Sequence, residues 1–461
     1  MAFPLQKFAA ALCVSLAAIC VSSCGSPESG SDTGSGTGSP TAAAPGGFVE
    51  QSGSAIRPRW TADELQKFLP RSRGKFRFPS PYNTEAVRVT TADDCDGADC
   101  VRPVAYSYWR NMNNHVGSNR ILILLGLDRV RGGGGPTLLS YDKMTEHVTS
   151  HGPLFDSTNH LSWASASGWY FSATLPSTLY LNDGPRMLRY DVVTTESEVV
   201  FDVTSRFGAD RKVAQMYSSN DDQVHSATLK AASTGVDLGC VVYLEATRQI
   251  RFYAKVGTFD ECQVDKSGRY LIIFEQIDGR YGIDNRFIDL QSGSEKRLMN
   301  GPGVGSVGHH DLGYGYVVGH DNFNNLPNAT LTWTLGPPLA RGPVDNRNYN
   351  WDVGQANHIS HTNAKPGIPM EQQYACGSNA DRVAYVQNEI VCFRLDGSLD
   401  QLVVAPVMTN LDASGGGDDY NKAPKGNLDV TGQYFIWTTN LGGSRLDAFI
   451  VKVPGHLLSR L

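Results

Sequence analysis

The chain has 461 residues and a formal net charge of −6, with 40 Lys and Arg against 46 Asp and Glu. That balance, with no basic run, excludes the electrostatic footprint of a nucleic-acid partner. The length suits one large β domain or two ordinary ones. The 48 glycines, set among short Val, Ile, Tyr and Phe runs, indicate an all-β fold.

At the N-terminus, Lys7 precedes an apolar run from Phe8 to about Val21, which ends in Val21-Ser22-Ser23-Cys24. A charged start, a short apolar core and small residues before a cleavage point make a secretory signal. The run is too short for a stable membrane-spanning helix. Val-Ser-Ser-Cys resembles the lipobox of bacterial lipoproteins, which implies removal of residues 1–23 and acylation of Cys24. Residues 24–56 are rich in Gly, Ser, Thr, Pro and Ala, a composition too poor in apolar surface to fold, and read as a tether. The expected location is therefore the cell envelope, on the periplasmic or cell-surface face of a bacterial membrane, with that membrane as a partner through the lipid.

The folded part is expected to cover residues 57–461. TADELQKFL at 61–69 is its one short amphipathic helix signal. Six cysteines follow, and an even count in an exported chain favours disulfides. Sequence proximity suggests Cys95–Cys100, Cys240–Cys262 and Cys376–Cys392, although six cysteines allow 15 pairings.

Internal repetition carries the architecture. A polar opener leads through a Gly turn to an aromatic strand and then a further strand. His160 leads through Ser167-Gly168 to Trp169-Tyr170-Phe171. Gln263 leads through Ser267-Gly268 to Tyr270–Phe274, and Asn427 leads through Thr431-Gly432 to Tyr434–Trp437. Weaker copies open at His225, His310 and His358, and residues 121–149 supply an N-terminal unit. About seven units of roughly 40–60 residues match four-stranded propeller blades. A β-sandwich or right-handed β-helix is the alternative. The Asp265-Lys-Ser-Gly-Arg-Tyr-Leu turn resembles that of TolB-like and WD40-like repeats, which implies a single β-propeller, most simply seven-bladed.

Aligned openers would converge as a polar ring at one channel mouth: His160, His225, Gln263, His310, His358 and Asn427. The densest cluster joins His309 and His310 to Gln355, His358 and His361. Imidazoles with an amide oxygen suit a borderline divalent ion such as Mn²⁺ or Zn²⁺. Here the chain resembles oligogalacturonate lyases, in which a Gln-x-x-His-x-His motif and an earlier histidine hold a divalent metal. Gln355 and His358 match the first part of that motif, and His310 stands for the earlier ligand. Ser360 takes the third place, and the next histidine falls one residue later, at His361.

The resemblance implies β-elimination on a uronic acid unit. A metal or cation neutralises the substrate carboxylate, and a base removes the α-proton. His225 is the expected base, because imidazole titrates near neutrality. Arg251, Arg269 and Arg286 are alternatives by region, and Tyr217, Tyr314 and Tyr316 are within reach of the ring. Trp109, Trp163, Trp169 and Trp351 suit either sugar stacking or blade packing. Two functional readings stay open. One is a propeller acting on anionic oligosaccharides, and the other is a non-catalytic propeller that binds glycans or an envelope protein.

Overall fold

The computed structural model describes residues 46–51, 57–161, 168–321, 329–336, 349–350, 358–380, 382 and 388–458. Cys24, Gln355, Trp163 and Trp351 lie outside the described residues.

Short strands joined by tight turns pair antiparallel into seven sheets among the described residues, arranged as a seven-bladed β-propeller. The innermost strands, in chain order, are Met112–Asn113, Tyr170–Phe171, Arg211–Ser218, Thr258–Val264, Val307–Leu312, His358–Ser360 and Asn427–Leu428, for blades 1 to 7. Blades 1 to 5 each take four strands from one continuous stretch of chain.

Blades 6 and 7 close the ring differently. Phe48–Gln51 is the fifth, outermost strand of blade 6, paired with Asp400–Pro406. Glu85–Arg88 pairs with Asp447–Lys452, and Gly74–Arg77 adds outside it, so the N-terminal segment completes blade 7. The strand Phe48–Gln51 lies inside the span read as tether, so the folded unit begins earlier than residue 57. Its Phe48 and Val49 give it more strand propensity than the Gly, Ser and Thr around it. Between these strands, Thr61 caps the helix Ala62–Gln66 reciprocally with Glu64, an arrangement that satisfies two otherwise unpaired helix N–H groups.

Apolar residues fill the spaces between blades rather than one central core. Trp109, Trp169, Trp333 and Trp437 are fully buried. The Trp109 indole donates to the Met216 carbonyl (2.7 Å) and that of Trp169 to Asn182 (2.7 Å). Both indoles therefore pack between blades and cannot stack on a ligand. At Gly168 (φ +71°) a Cβ would stand 2.8 Å from the Trp109 ring, so this packing needs a residue without a side chain.

Two Asp-x-Ser/Thr-Gly turns each clamp one blade to the next. Asp265 accepts from the Tyr270 and Arg269 amides of its own turn and from the Gly315 amide (2.8 Å) of blade 5. Asp429 repeats this with the Tyr434 amide and with Asn114 (2.8 Å) of blade 1, which joins the last blade to the first on the channel side.

Cys95–Cys100, Cys240–Cys262 and Cys376–Cys392 are disulfide-bonded. The second ties the third strand of blade 3 to the innermost strand of blade 4. Replacing Cys240 and Cys262 together by Ser is expected to lower stability by about 2–4 kcal/mol. The urea midpoint under oxidising conditions measures this, and an unchanged midpoint refutes it.

Candidate functional site

Four of the six openers lie on innermost strands: Gln263, His310, His358 and Asn427. Two do not. His160 sits in the loop before blade 2, exposed and paired with Asp183 (2.7 Å). His225 lies on Val224–Ala231, the second strand of blade 3. Its Nδ1 meets the Ser218 hydroxyl (2.6 Å) and its Nε2 meets Glu245 (3.0 Å). Fully buried and bonded on both nitrogens, His225 is a blade-packing residue rather than a base facing the channel. The phase slipped because the Ser-Thr-Gly at 233–235 is a hairpin turn between the second and third strands. It mimics the Asp-x-Ser-Gly turn, whose true counterpart in blade 3 is Ser219–Asp222.

Asn427 is buried and exchanges two hydrogen bonds with Asn111 of blade 1 (3.1 and 3.0 Å), so it closes the ring. Among the described residues the expected metal ligands do not assemble. His361 is fully buried, with Nε2 against the Tyr316 hydroxyl (2.6 Å) and Nδ1 against the Tyr374 carbonyl (3.0 Å). Neither lone pair is left for an ion, and burial pushes its imidazole down to about 3. Alternate strand residues share a face while neighbours do not, and His361 accordingly points away from His358. The His358 ring instead stacks on His309, with centroids 4.2 Å apart and planes 21° apart. Stacked imidazoles aim their in-plane nitrogens side by side, not at one point. Ser360, in the third place of the motif, accepts from the Leu428 amide (3.0 Å). The described residues thus do not fit a divalent ion held as the motif implies.

The alternative bases are also engaged elsewhere. Arg286 is forked between Glu275 and Glu295, Arg269 pairs with Asp289, and Arg251 donates to the Leu290 carbonyl. Tyr217 donates to Asp311, and Tyr314 receives the Asn220 amide.

The segment before blade 1 fills the mouth, which sequence reading missed. Trp109 anchors it between blades, and the Ala105 amide donates to Asn111 (3.2 Å). Between these anchors, Tyr106 lies 5.2 Å from His358 and 6.4 Å from both His309 and Tyr420, centroid to centroid. Tyr108 stacks on His310 at 5.5 Å and donates its hydroxyl to Glu261 (2.5 Å). His310 in turn stacks on Phe274 at 4.3 Å.

A shared irregularity aims the polar groups. The innermost strands of blades 3, 4 and 5 each carry a register shift near the mouth, at Ala214/Tyr217, Phe259/Glu261 and Val307/His310. Such bulges redirect side chains and recur beside functional sites. In blade 4 the bulge presents Asp260, which is exposed, beside the partly exposed Glu261. Burial, reinforced by Asp260, pushes the Glu261 carboxyl up to about 8. On the far side, Tyr420 is half exposed, and Lys425 lies beneath its ring at 3.8 Å. Burial lowers the Lys425 amine to about 7. Perturbed groups gathered in a cleft mark a functional site.

Below the mouth, Lys266 and Asp311 form an ion pair (2.8 Å) with no exposure on either side chain. Asp311 also accepts from the His361 amide (2.5 Å) and the Tyr217 hydroxyl (3.1 Å). This pair ties together blades 4, 5, 6 and 3.

No family model matches the chain, and no curated protein does. Among solved structures, an oligogalacturonate lyase in complex with manganese matches with a TM-score of 0.59 at 13% identity, over 85% of this chain and 98% of the other. The oligogalacturonate lyase of Vibrio parahaemolyticus gives 0.57 at 10% identity, over 84% and 98%. This chain shares their fold. TolB from Acinetobacter baumannii matches at a TM-score of 0.36 and 13% identity, over 67% and 64%. At identities of 13% and 10% the two lyase structures show a shared fold alone, and function has to be argued from the site.

The Glu261 shift makes a pH prediction. A carboxyl raised from its ordinary 4.5 to about 8 binds its proton more tightly in the folded state. Its contribution to stability is complete below about pH 4.5 and is lost as pH rises through about 8. Urea midpoints at about pH 6 and about pH 9 should fall for the wild type and fall less for Glu261→Gln. Equal slopes would refute the assignment.

Proposed function

We propose that the protein is an envelope lipoprotein, anchored through Cys24, whose propeller binds saccharides at the channel mouth without transforming them. The arrangement of the mouth carries this reading. Tyr106 and Tyr420 offer partly exposed aromatic faces, with Asp260, Glu261 and His309 beside them. Aromatic plates with a few polar groups are what a sugar ring needs, since its C–H faces stack and its hydroxyls hydrogen-bond. Metal-assisted uronate elimination, as the family resemblance implied, is the competing reading. It is disfavoured because His361 is bonded on both nitrogens, His358 is stacked on His309, and His225 lies off the channel.

Isothermal titration of the full-length chain in detergent against neutral and uronate oligosaccharides tests the proposal. Tyr420→Ala is expected to weaken binding about tenfold, in keeping with the loss of one stacked ring. Ultraviolet absorbance from unsaturated products would instead establish the lyase. Cys24→Ala is expected to move the chain from the membrane to the soluble fraction, and continued membrane association would remove the anchor from the proposal.

A further inference from the structure

Beneath Tyr108, at the seam between blades 4 and 5, two buried polar side chains, Gln263 and His310, carry atoms with no hydrogen-bond partner. Gln263 is 1% exposed, and neither atom of its amide has a hydrogen bond of acceptable geometry. It lies close enough to Glu261 to draw that carboxyl slightly down against the effect of burial. His310 is 3% exposed, and its Nδ1 is held by the Gly308 carbonyl (2.9 Å), while its Nε2 has no partner. Buried polar groups are normally satisfied, because an unpaired one costs about 1–3 kcal/mol. Orphans on neighbouring blades therefore point to something that pairs with them.

The groups converge on one spot. Glu261 and Gln263 are two apart on the innermost strand of blade 4 and share a face, while Cys262 between them is tied outward to Cys240. The cross-strand partner of Glu261 is Phe274, whose ring carries His310. Tyr108 joins the two sides, bonded to Glu261 and stacked on His310. Exposure falls along the strand from Asp260, which is exposed, through Glu261, which is partly exposed, to Gln263, which is buried.

We infer, on the reading of the mouth as a saccharide site, that the unit held deepest is an uncharged sugar whose hydroxyls pair with Gln263, His310 Nε2 and Glu261. Amide, imidazole and carboxyl groups offer both donors and acceptors, as hydroxyls require. A carboxylate-bearing unit would meet Asp260 and Glu261 and find no unengaged cation among the described residues near this spot. Lys266 is paired with Asp311, Lys425 lies under Tyr420, and Arg110 donates to the Phe171 carbonyl beside Tyr170.

The test compares ligands that differ only in charge. Calorimetry on the full-length chain would use oligogalacturonate, its fully methyl-esterified form and a panel of neutral oligosaccharides. The expected result is tighter binding of uncharged ligands, weakened at least tenfold by Gln263→Leu and by His310→Phe, with both variants keeping the wild-type circular dichroism. Equal or tighter binding of the free acid, unaffected by Gln263→Leu, would overturn the inference yet leave the saccharide reading standing. Binding of neutral sugars that both variants retain would show that water alone satisfies these groups, and would also overturn it. If no saccharide of either class binds, the proposed function itself fails.

Discussion

A chain that starts after residue 91 is expected to lose the folded propeller altogether. Such a truncation removes Phe48–Gln51 from blade 6 and both Gly74–Arg77 and Glu85–Arg88 from blade 7. Phe76, Phe78, Val87 and Val89 leave with them, each 9% exposed or less. Burying such a side chain stabilises by about 1.5–3 kcal/mol, so four approach the whole stability of about 5–15 kcal/mol typical of a native protein. The strand Asp447–Lys452 would then become a bare edge, open to pairing with other chains. Asp447, 1% exposed, would lose Arg88, which donates to it at 2.6 Å. Size-exclusion chromatography should show aggregate in place of monomer. A monomer with native circular dichroism would mean that the ring is sealed by contacts elsewhere.

Lys266→Met is expected to destabilise the protein by about 3–5 kcal/mol, the usual penalty for stranding one member of a buried ion pair. Lys266 and Asp311 are both completely shielded from solvent, so the charge left on Asp311 could not be rehydrated without opening the ring. The His361 amide and the Tyr217 hydroxyl would still reach that carboxylate, but as neutral donors. Adding Asp311→Asn to Lys266→Met removes the stranded charge and should recover part of the loss. Urea denaturation of the single and double variants measures both quantities. If the double variant is the less stable of the two, the pair is not what holds blades 4 and 5 at this level.

Both effects arise from contacts between residues distant in sequence, whereas the parts of the fold legible beforehand were local. The repeat count came from turn chemistry and short aromatic strands, features that each blade specifies within its own segment. The Asp-x-Ser/Thr-Gly turns at 265–268 and 429–432 could be read because a side-chain carboxylate that accepts backbone amides needs that spacing. The three disulfides paired by proximity because each closes a short stretch of chain: the turn before blade 1 for Cys95–Cys100, adjacent blades for Cys240–Cys262 and paired strands for Cys376–Cys392. Where two turns looked alike, as at 233–235, local reading lost the phase and moved His225 onto the channel.

The sequence by itself determined an all-β chain of about seven repeats and the residue types available in each, and it favoured the three disulfide pairs by proximity. Only the tertiary structure decided which side chains share the mouth. The register shifts at Phe259/Glu261 and Val307/His310 turn Glu261 and His310 toward one spot, and neither shift has a local signature in composition. Tyr106 and Tyr108 arrive from the segment before blade 1, and Tyr420 and Lys425 from the loop before blade 7. The N-terminal strands that seal blades 6 and 7 pair across almost the whole chain length, Arg88 with Phe449. Periodicity reports which face of a strand is buried, but not which other strand buries it, because the pairing energy depends on the packed surface that both partners create together.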